Sequence, residues 1–495
     1  MISSERYFRK NDFSLRLKGD ENIFPTKEDY ILRYGKNNGL MSSKDFILYT
    51  MDLSYFSGKL EMYLRYKEIN HHRFEPHALE FETILCKNTG TEQLPQLYDN
   101  RLMTKENKRW LRDTTYIIDH LEHDQLISQK SLPVLTNCEL QTFFMKLFED
   151  YADEHLWRPA MFWRWEPSFD RTVMGLRFTY EFARTSQSRY WLIPPFLRPY
   201  LLSLRQWLLS SYGEDCNTQE KKQVVVNQYY ELLKVMESIL ITSPYLFGNR
   251  PTLIDFAFSG PFFRHFSSDF TPRKVMQNFA PNTYEWVARL WNCTSTKMKF
   301  IEPNFPESGT LPDSWDPLLK LLADYFEYSQ LNYDAQISNI SASLRNPEFE
   351  ELHNNKLFFE WKNKGQVFKV PVVHYRAWCK QELVKEFHKC SKATQNKIIE
   401  ILKSKTSSDF DFDTFFEITG MENIEIEPEC GTHPPFALSA DTTGSQLSYK
   451  WDANSIFFPY FFKRGVMFLG FFLASYIGLK FSNNKQLFYY VKYVM

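Results

Sequence analysis

Two places in the first 125 residues combine side chains that could bind or activate a small ligand. Ser54, Tyr55 and Ser57 follow the apolar run FILY and come just before a helical pattern. Asp113 and Thr114 open the segment RDTTYIIDHLE, which also has helical spacing. Because the N-terminus of a helix presents unpaired N–H groups and the positive end of its dipole, it suits a carboxylate. Taken alone, Ser54 is interpreted as an ordinary loop or capping serine. Asp113 and Thr114 are interpreted as helix-capping residues, which is compatible with a role in ligand binding.

Several common kinds of active site have no counterpart in the sequence. It contains no P-loop, no dinucleotide fingerprint and no GxSxG elbow. The seven cysteines are scattered and form no CxxC pair, which argues against a disulfide framework, a zinc site and a dithiol redox centre. His71, His72 and His374 lack the spacing of metal ligands. We therefore expect no metal cofactor.

Composition places the chain among globular proteins. Hydrophobic residues make up 43% and charged residues 24% of its 495 residues, and the formal net charge is −1. This balance gives no electrostatic reason to expect a nucleic-acid partner. The sequence starts with the charged stretch MISSERYFRKND, which lacks the apolar core of a secretory signal. We therefore expect a cytoplasmic location.

The elements that would position the two groups of side chains follow an α/β order over residues 45–125. The run FILY is typical of a buried strand, and Leu60, Tyr63 and Leu64 give the next segment helical spacing, with Ser57 as its N-cap. The segments HHRFEPH and LPQLYD predict a second and a third strand, and RDTTYIIDHLE a second helix. Strands and helices in this order indicate a small α/β domain.

The character of the sequence changes over residues 136–300, where long segments have helical periodicity and few glycines. Thr252 and Asp255 have the S/T-x-x-D spacing of a capping box in front of an apolar helix. This part therefore predicts an all-helical domain. The aromatic run FWRWEP at residues 162–167 would either line a pocket between the domains or pack them together, and packing is the favoured interpretation.

Three of these features, in this order, resemble the cytosolic glutathione S-transferases. Ser54 falls where the serine or cysteine classes of the family keep their catalytic residue, with Tyr55 and Ser57 as rivals. Gln93, Leu94 and Pro95 resemble the segment in which a cis-proline opens the third strand. Asp113 and Thr114 resemble the acidic-Ser/Thr pair that opens the next helix. The resemblance covers about residues 45–300. It implies a thioredoxin-like N-terminal domain followed by a helical domain of the glutathione-transferase type.

The same resemblance implies how glutathione would bind. The backbone N–H and C=O of Leu94 would pair with the cysteinyl part of glutathione much as a neighbouring strand would. Asp113 and the Thr114 hydroxyl would bind its γ-glutamyl end. Two features depart from the family pattern: Arg112 precedes the acidic pair, and the charged stretch Arg101–Arg109 replaces a short turn.

Catalysis in such a site would depend on the ionisation of the glutathione thiol. A free thiol has a pKa of about 8.5, so little thiolate is present at neutral pH. A hydrogen bond donated by Ser54 or Tyr55 to the sulfur would favour the thiolate, and the dipole of the following helix would add to this. The chain has no cysteine in this loop, which disfavours a thioltransferase of the cysteine class.

The remaining regions have no clear counterpart in short transferases. Residues 1–44 are an N-terminal extension, residues 310–405 an additional, mostly helical region with a hairpin, and residues 406–495 a flexible tail. The apolar segment 465–479 has three interpretations: a tail anchor in a membrane, a buried helix, or a C-terminus misread from the gene. Its length of about 15 residues is below the roughly 17–25 of a membrane span.

The leading hypothesis from the sequence is a glutathione-dependent transferase that conjugates, reduces or isomerises a small hydrophobic electrophile. Glutathione would be its co-substrate, and the resemblance leaves a homodimer open. The alternative is a non-catalytic scaffold with this fold, or an adaptor tethered to a membrane through residues 465–479.

Overall fold

The computed structural model describes most of the chain between residues 45 and 417. The described residues are 45–76, 81, 85, 89, 91, 93–99, 101, 108–182, 197–211, 215–345, 358–406, 409–417 and 438–439. The chain separates into two units, Met1–Asp441 and Thr442–Met495, and all described residues belong to the first. The predicted N-terminal extension and the apolar segment 465–479 lie outside the described residues.

A small mixed sheet forms the first domain because short apolar runs supply its central strands. Strand β1 spans Phe46–Tyr49, β2 His71–Phe74, β3 Gln96–Asp99 and β4 Lys108–Arg112. Their order is β2–β1–β3–β4, with β1 parallel to β2 and antiparallel to β3, and β3 antiparallel to β4. A two-residue strand, Leu438–Ser439, pairs with β4. Every residue of β1 and β3 is buried, as expected for strands covered on both faces.

Two helices complete this domain, and their N-caps are the polar residues that the sequence analysis singled out. Helix α1 spans Tyr55–Tyr66, and the Ser54 hydroxyl accepts a hydrogen bond from the Ser57 N–H at 3.3 Å. The prediction that Ser57 is the N-cap is therefore wrong. Ser57 is buried inside the first turn, where its hydroxyl accepts from the Met51 N–H at 3.4 Å.

Helix α2 spans Thr114–His123 and starts from Asp113, and the short helix α3 spans Gln125–Ser128. The order of strands and helices confirms the predicted thioredoxin-like domain.

A helical domain follows, as the periodicity predicted. Its longer helices are α4 Glu139–Glu154, α5 Trp157–Trp165, α6 Ser168–Phe182, α7 Arg198–Ser211, α8 Gln219–Leu240, α9 Leu253–Pro261, α10 Phe270–Phe279 and α11 Pro281–Asn292. A π-helical turn, Phe262–Phe266, follows α9, and a one-turn helix α12 spans Ser295–Met298. Helix α9 lies at the centre of the fold, since it packs against both α1 and α4.

The predicted capping box opens α9, and its carboxylate also links distant segments. Asp255 accepts from the Thr252 N–H at 3.0 Å, from the Leu246 N–H at 2.9 Å and from the Trp286 indole at 3.0 Å. The side chain is fully buried, and burial raises its pKa to about 6 even though these hydrogen bonds oppose the rise. This carboxylate therefore fixes the approach loop, the helix start and α11 to one another.

The C-terminal region adds elements that cover the helical domain. They are a 3₁₀ turn Asp313–Trp315, then α13 Asp316–Lys320, α14 Leu322–Arg345, the hairpin of β5 Phe358–Asn363 and β6 Gln366–Pro371, α15 His374–Lys389, α16 Lys392–Lys405 and α17 Phe412–Phe415. Both α15 and α16 pack against α4. Lys364 and Gly365 form the hairpin turn with positive φ, which a tight two-residue turn requires.

Packed structure continues to residue 417, beyond residue 405, where the sequence predicted that it would end. Phe412 and Phe415 are fully buried and contact Phe326 of α14 with ring centroids 4.9 and 5.1 Å away. The prediction of a flexible tail beginning at residue 406 is therefore wrong for residues 409–417. Aromatic contacts of this kind stabilise beyond the area that they bury. In the part of the chain that the structure describes, no helix combines the length and hydropathy needed to cross a membrane.

We expect Asp255→Ala to lower the free energy of unfolding by at least about 3 kcal/mol, because it leaves several buried donors without a partner. Urea denaturation measures this loss. A matched control is Asp411→Ala, which removes an exposed cap that accepts from the Thr414 N–H at 3.1 Å and should cost under about 1 kcal/mol. Equal losses for the two variants would contradict the central role of Asp255.

Candidate functional site

A cavity of about 560 Å³ lies where the first domain, α4 and α15 meet. All five residues that the sequence analysis assigned to glutathione binding line it: Gln93, Leu94, Pro95, Asp113 and Thr114. The described cavity wall also includes Phe56 of α1, an acidic face of α4, and Tyr375, Trp378, Cys379 and Glu382 of α15.

The loop before β3 has the backbone geometry that the sequence predicted. The peptide bond between Leu94 and Pro95 is cis, which confirms that prediction. The buried Gln96 amide donates to the Thr91 and Gln93 carbonyl oxygens, both at 3.0 Å, and so fixes the loop from below. Among the described residues, none is hydrogen-bonded to the backbone N–H or C=O of Leu94. A peptide lying along this edge could therefore pair with both groups.

At the start of α2, Asp113 caps the helix and leaves the Thr114 N–H available as a donor. Asp113 has a φ of 70°, a conformation that is uncommon for a residue other than glycine. Its Oδ1 accepts from the Thr115 N–H at 2.9 Å and the Tyr116 N–H at 3.3 Å. This capping does not reach the Thr114 N–H, which stays available for an anionic ligand at the helix start.

The buried position of Asp113 also affects its titration. Burial raises the pKa of this carboxyl above its ordinary value, although Lys59 and the two backbone hydrogen bonds act in the opposite direction.

The hydroxyl groups of the first loop point to different surroundings. Ser54 is half-buried and acts as the α1 cap, and Tyr55 donates from its hydroxyl to the Ala152 carbonyl at 2.6 Å inside the protein. The Tyr55 ring packs so closely on Gly260 that an added Cβ there would lie 2.8 Å from it. Neither Ser54 nor Tyr55 is part of the cavity wall. The structure thus gathers the predicted binding residues but not the two predicted catalytic ones.

Contacts with the helical domain hold the loop that contains Ser54. The Arg164 guanidinium donates to the Leu53 carbonyl at 2.6 Å and forms an ion pair with Asp269 at 2.8 Å. The Leu53 N–H donates to the Glu181 carboxylate at 3.2 Å. Burial raises the pKa of Glu181 to about 7. These contacts fix the backbone on the N-terminal side of Ser54 relative to α5 and α6.

The aromatic run FWRWEP packs inside the protein, as favoured from the sequence. Phe162, Trp163 and Trp165 are all buried in the hydrophobic clusters and do not line the cavity.

The departures from the family pattern leave the binding residues in place. The Arg112 guanidinium donates to the Thr89 carbonyl at 2.7 Å, and burial lowers its pKa to about 10 against the effect of Asp113. Most of the charged stretch Arg101–Arg109 lies outside the described residues. Arg101 itself forms ion pairs with Asp99 and Asp124, both at 2.8 Å.

A buried ion cluster supports the floor of the cavity. The Lys59 ammonium of α1 lies 2.7 Å from Glu149 and 2.5 Å from Asp153, both on α4, and 3.4 Å from the Thr115 hydroxyl of α2. Lys59 is completely buried. Burial alone would lower the pKa of Lys59, but the two carboxylates overcome it and hold the pKa above its ordinary value. The cluster therefore joins α1, α2 and α4 through one cation.

Two further carboxyl groups on α4 have pKa values close to neutrality. Burial raises the pKa of Asp150 to about 7, although the Tyr325 hydroxyl donates to this side chain and opposes the rise. Burial raises the pKa of Glu154 to about 7 against the effect of Arg376, which lies 3.2 Å away. Perturbed carboxyl groups beside a cavity are candidates for functional roles. Within the described residues, no group of three or more His, Cys, Asp or Glu side chains is arranged to hold a metal ion.

Helix α15 forms the outer wall of the cavity and contacts the predicted binding site directly. The Tyr375 hydroxyl donates to Oδ2 of Asp113, and the Tyr375 ring lies 5.5 Å from that of Trp378. Cys379 also faces this space, where burial raises the pKa of its thiol well above the ordinary value. Cys379 is therefore a protonated thiol near neutral pH and a weak nucleophile.

Two parts of this site were not predicted from the sequence. The acidic face of α4 has a signal in the sequence, since Glu149, Asp150, Asp153 and Glu154 recur at helical spacing, but such a pattern ordinarily indicates a solvated face. The residues of α15 carry no local signal, because their role depends on a contact across 262 positions of the chain.

The described residues have the fold of the glutathione S-transferases. A thioredoxin-like domain with a cis-proline loop precedes a helical domain whose central helix opens with a capping box. Residues 203–292 match the family model for the C-terminal domain of glutathione S-transferases. The match covers the later part of the helical domain, and the C-terminal elements from Asp313 onward lie outside it.

Solved structures similar to this chain include FzlA from C. crescentus, with 15% identity and a TM-score of 0.32, covering 50% of this chain and 87% of that one. Beta-etherase LigF from Sphingobium sp. strain SYK-6 has 15% identity and a TM-score of 0.35, with coverage of 52% and 98%. A glutathione S-transferase from Rhodospirillum rubrum has 14% identity and a TM-score of 0.31, with coverage of 55% and 97%. A search of curated proteins finds no match.

We expect Lys59→Met to lower the free energy of unfolding by about 3–5 kcal/mol, because it leaves Glu149 and Asp153 buried without their cation. Urea denaturation provides the measurement. The triple variant Lys59→Met, Glu149→Gln and Asp153→Asn removes all three charges and should recover much of the loss. A triple variant less stable than Lys59→Met would show that the cluster is not governed by its charges.

The raised pKa values of Asp150 and Glu154 predict a pH dependence. Between about pH 4 and pH 7 the folded protein binds more protons at these groups than the unfolded chain, so their contribution to stability falls as the pH rises through this range. The variant Asp150→Asn with Glu154→Gln should flatten the decline in unfolding free energy from pH 5 to pH 8 by at least about 1 kcal/mol. Denaturation at several pH values tests this, and parallel profiles for variant and wild type would contradict it.

Proposed function

We propose that the chain binds glutathione in the cavity and is a glutathione-dependent transferase for a small hydrophobic electrophile. The observation that carries this proposal is that the free backbone groups of Leu94 and the N-terminus of α2 lie in the wall of one cavity. These are two of the elements that a short γ-glutamyl peptide needs: an edge for its backbone and donors for its α-carboxylate.

In this proposal each end of glutathione has its own partners. The cysteinyl N–H and C=O pair with the backbone of Leu94 beside the cis-proline. The γ-glutamyl carboxylate accepts from the Thr114 N–H and hydroxyl, and the γ-glutamyl ammonium lies against Asp113. A carboxylate close to an ammonium group gives a charge-assisted hydrogen bond, which is among the stronger polar contacts in proteins.

Ser54 is the proposed group for activating the thiol: it lies outside the cavity wall, but it caps α1, whose Phe56 lines the cavity. Its oxygen accepts from the Ser57 N–H, so its own proton is free to be donated to a thiolate. The N-terminus of α1 adds its dipole in the same place. Tyr55 is the weaker candidate, because its hydroxyl already donates to the Ala152 carbonyl. Holding both reactants in one cleft would supply the rest of the rate increase.

The second candidate is a non-catalytic scaffold that keeps the fold. The contact of Tyr375 with Asp113 supports it, because a residue of the protein already satisfies a group meant for the ligand. A cytoplasmic location, a homodimer and a tether through residues 465–479 also remain proposals.

Calorimetric titration of the full chain with glutathione tests the proposal. We expect saturable binding to the wild type and at least about tenfold weaker binding to Asp113→Asn, which keeps the cap geometry but loses the charge. Asp124→Asn is a matched control, because Asp124 caps α3 in the same way yet does not line the cavity. Ser54→Ala should bind glutathione normally and lose activity in an electrophile screen. No heat at millimolar glutathione would favour the scaffold.

A further inference from the structure

Helix α15 places a neutral hydroxyl on the carboxylate that the proposed function assigns to a ligand cation. We propose that Tyr375 regulates the site by competing with the γ-glutamyl ammonium of glutathione for Oδ2 of Asp113. This inference rests on the proposed glutathione site. It makes the additional C-terminal region part of the binding equilibrium and not merely a cover of the helical domain.

The two oxygens of Asp113 have different tasks. Oδ1 accepts the N–H groups of Thr115 and Tyr116 and so maintains the helix start. Oδ2 accepts from the Tyr375 hydroxyl, and Asp113 and Tyr375 both line the cavity. A ligand cation that reaches Asp113 from the cavity therefore meets the oxygen that Tyr375 already occupies.

The contact keeps Asp113 satisfied while the cavity holds no ligand. Asp113 is partly buried, and a carboxylate oxygen that is withdrawn from water without a donor is costly; one hydroxyl donor to Oδ2 reduces this cost without bringing a charge. An ammonium group gives a stronger hydrogen bond to a carboxylate than a hydroxyl does. Glutathione can therefore displace Tyr375, but it binds more weakly than it would to an open Asp113.

The rest of α15 is held firmly, so the side chain of Tyr375 is the part that must move. The Asn332 side chain of α14 donates to the Val373 carbonyl at 3.0 Å and accepts the Val373 N–H at 2.8 Å, which fixes the start of the helix. One turn further, Arg376 forms an ion pair with Glu154 at 3.2 Å.

Further along α15, Lys146 of α4 lies 2.7 Å from Glu386, and Leu383, Val384 and Phe387 are buried in the main core. None of these contacts involves the Tyr375 ring, which packs against Trp378 with ring centroids 5.5 Å apart. The regulation is therefore local to one side chain.

The test compares glutathione binding to the full-length wild type, Tyr375→Phe and a matched control by calorimetric titration. We expect Tyr375→Phe to bind about tenfold more tightly, because the competing hydroxyl is removed while the ring remains. Tyr66→Phe is the control: its buried hydroxyl has no hydrogen-bond partner among the described residues, and Tyr66 does not line the cavity. It should bind like the wild type.

A second probe separates competition for Asp113 from a general opening of the cavity. Glutaryl-cysteinylglycine has the shape of glutathione but lacks the γ-glutamyl ammonium, so Tyr375→Phe should bring it no gain. An equal gain for both ligands, unchanged binding of glutathione, or weaker binding by Tyr375→Phe would each overturn the proposal. Absence of binding by both wild type and variant would overturn the glutathione site itself together with this regulation, whereas binding that is unaffected by the substitution overturns only the regulation.

Discussion

The buried ammonium group of Lys59 is the interaction on which the rest of the site depends. A charge without water is costly in a protein interior, so Lys59 is stable only while Glu149 and Asp153 stay within 3 Å of it. The cation belongs to the first domain and the carboxylates to the second. The pairing therefore sets the distance between α1 and α4, and its contact with Thr115 also fixes the start of α2. Asp113 is held in position by the same helix start.

Helix α4 has one apolar face and one polar face. The face of α4 with Phe144, Leu147 and Phe148 is buried in the hydrophobic core together with α9, and its opposite face presents carboxyl groups to the cavity. Burial of the apolar face contributes favourable free energy, which offsets the cost of partly burying the carboxyl groups on the polar face. The same arrangement explains why the carboxyl groups titrate near neutrality: they are held where the solvent cannot reach them freely.

Much of the fold, together with the cis-proline loop and the helix caps, could be predicted from the sequence because their signals are local. The cis bond before Pro95, the cap at Asp113 and the box at Asp255 each depend on a few adjacent residues. The N-cap of α1 was predicted at Ser57 instead of Ser54 because both serines lie within four positions of the chain and either could cap the helix. The acidic face of α4 was missed because periodicity alone does not distinguish a solvated face from one covered by a later helix. Tyr375 could not be found, since its role depends entirely on tertiary packing.

The partnership of Tyr375 and Asp113 has a consequence for the order of events during synthesis of the chain. The two residues are 262 positions apart, and ribosomes add about 5–20 residues per second, so roughly 13–50 s separate the emergence of Asp113 from that of Tyr375. During that interval the nascent first domain can fold with its carboxylate exposed to the surrounding solution. Each new molecule therefore passes through a period in which Asp113 lacks the hydroxyl donor that the later helix brings to it.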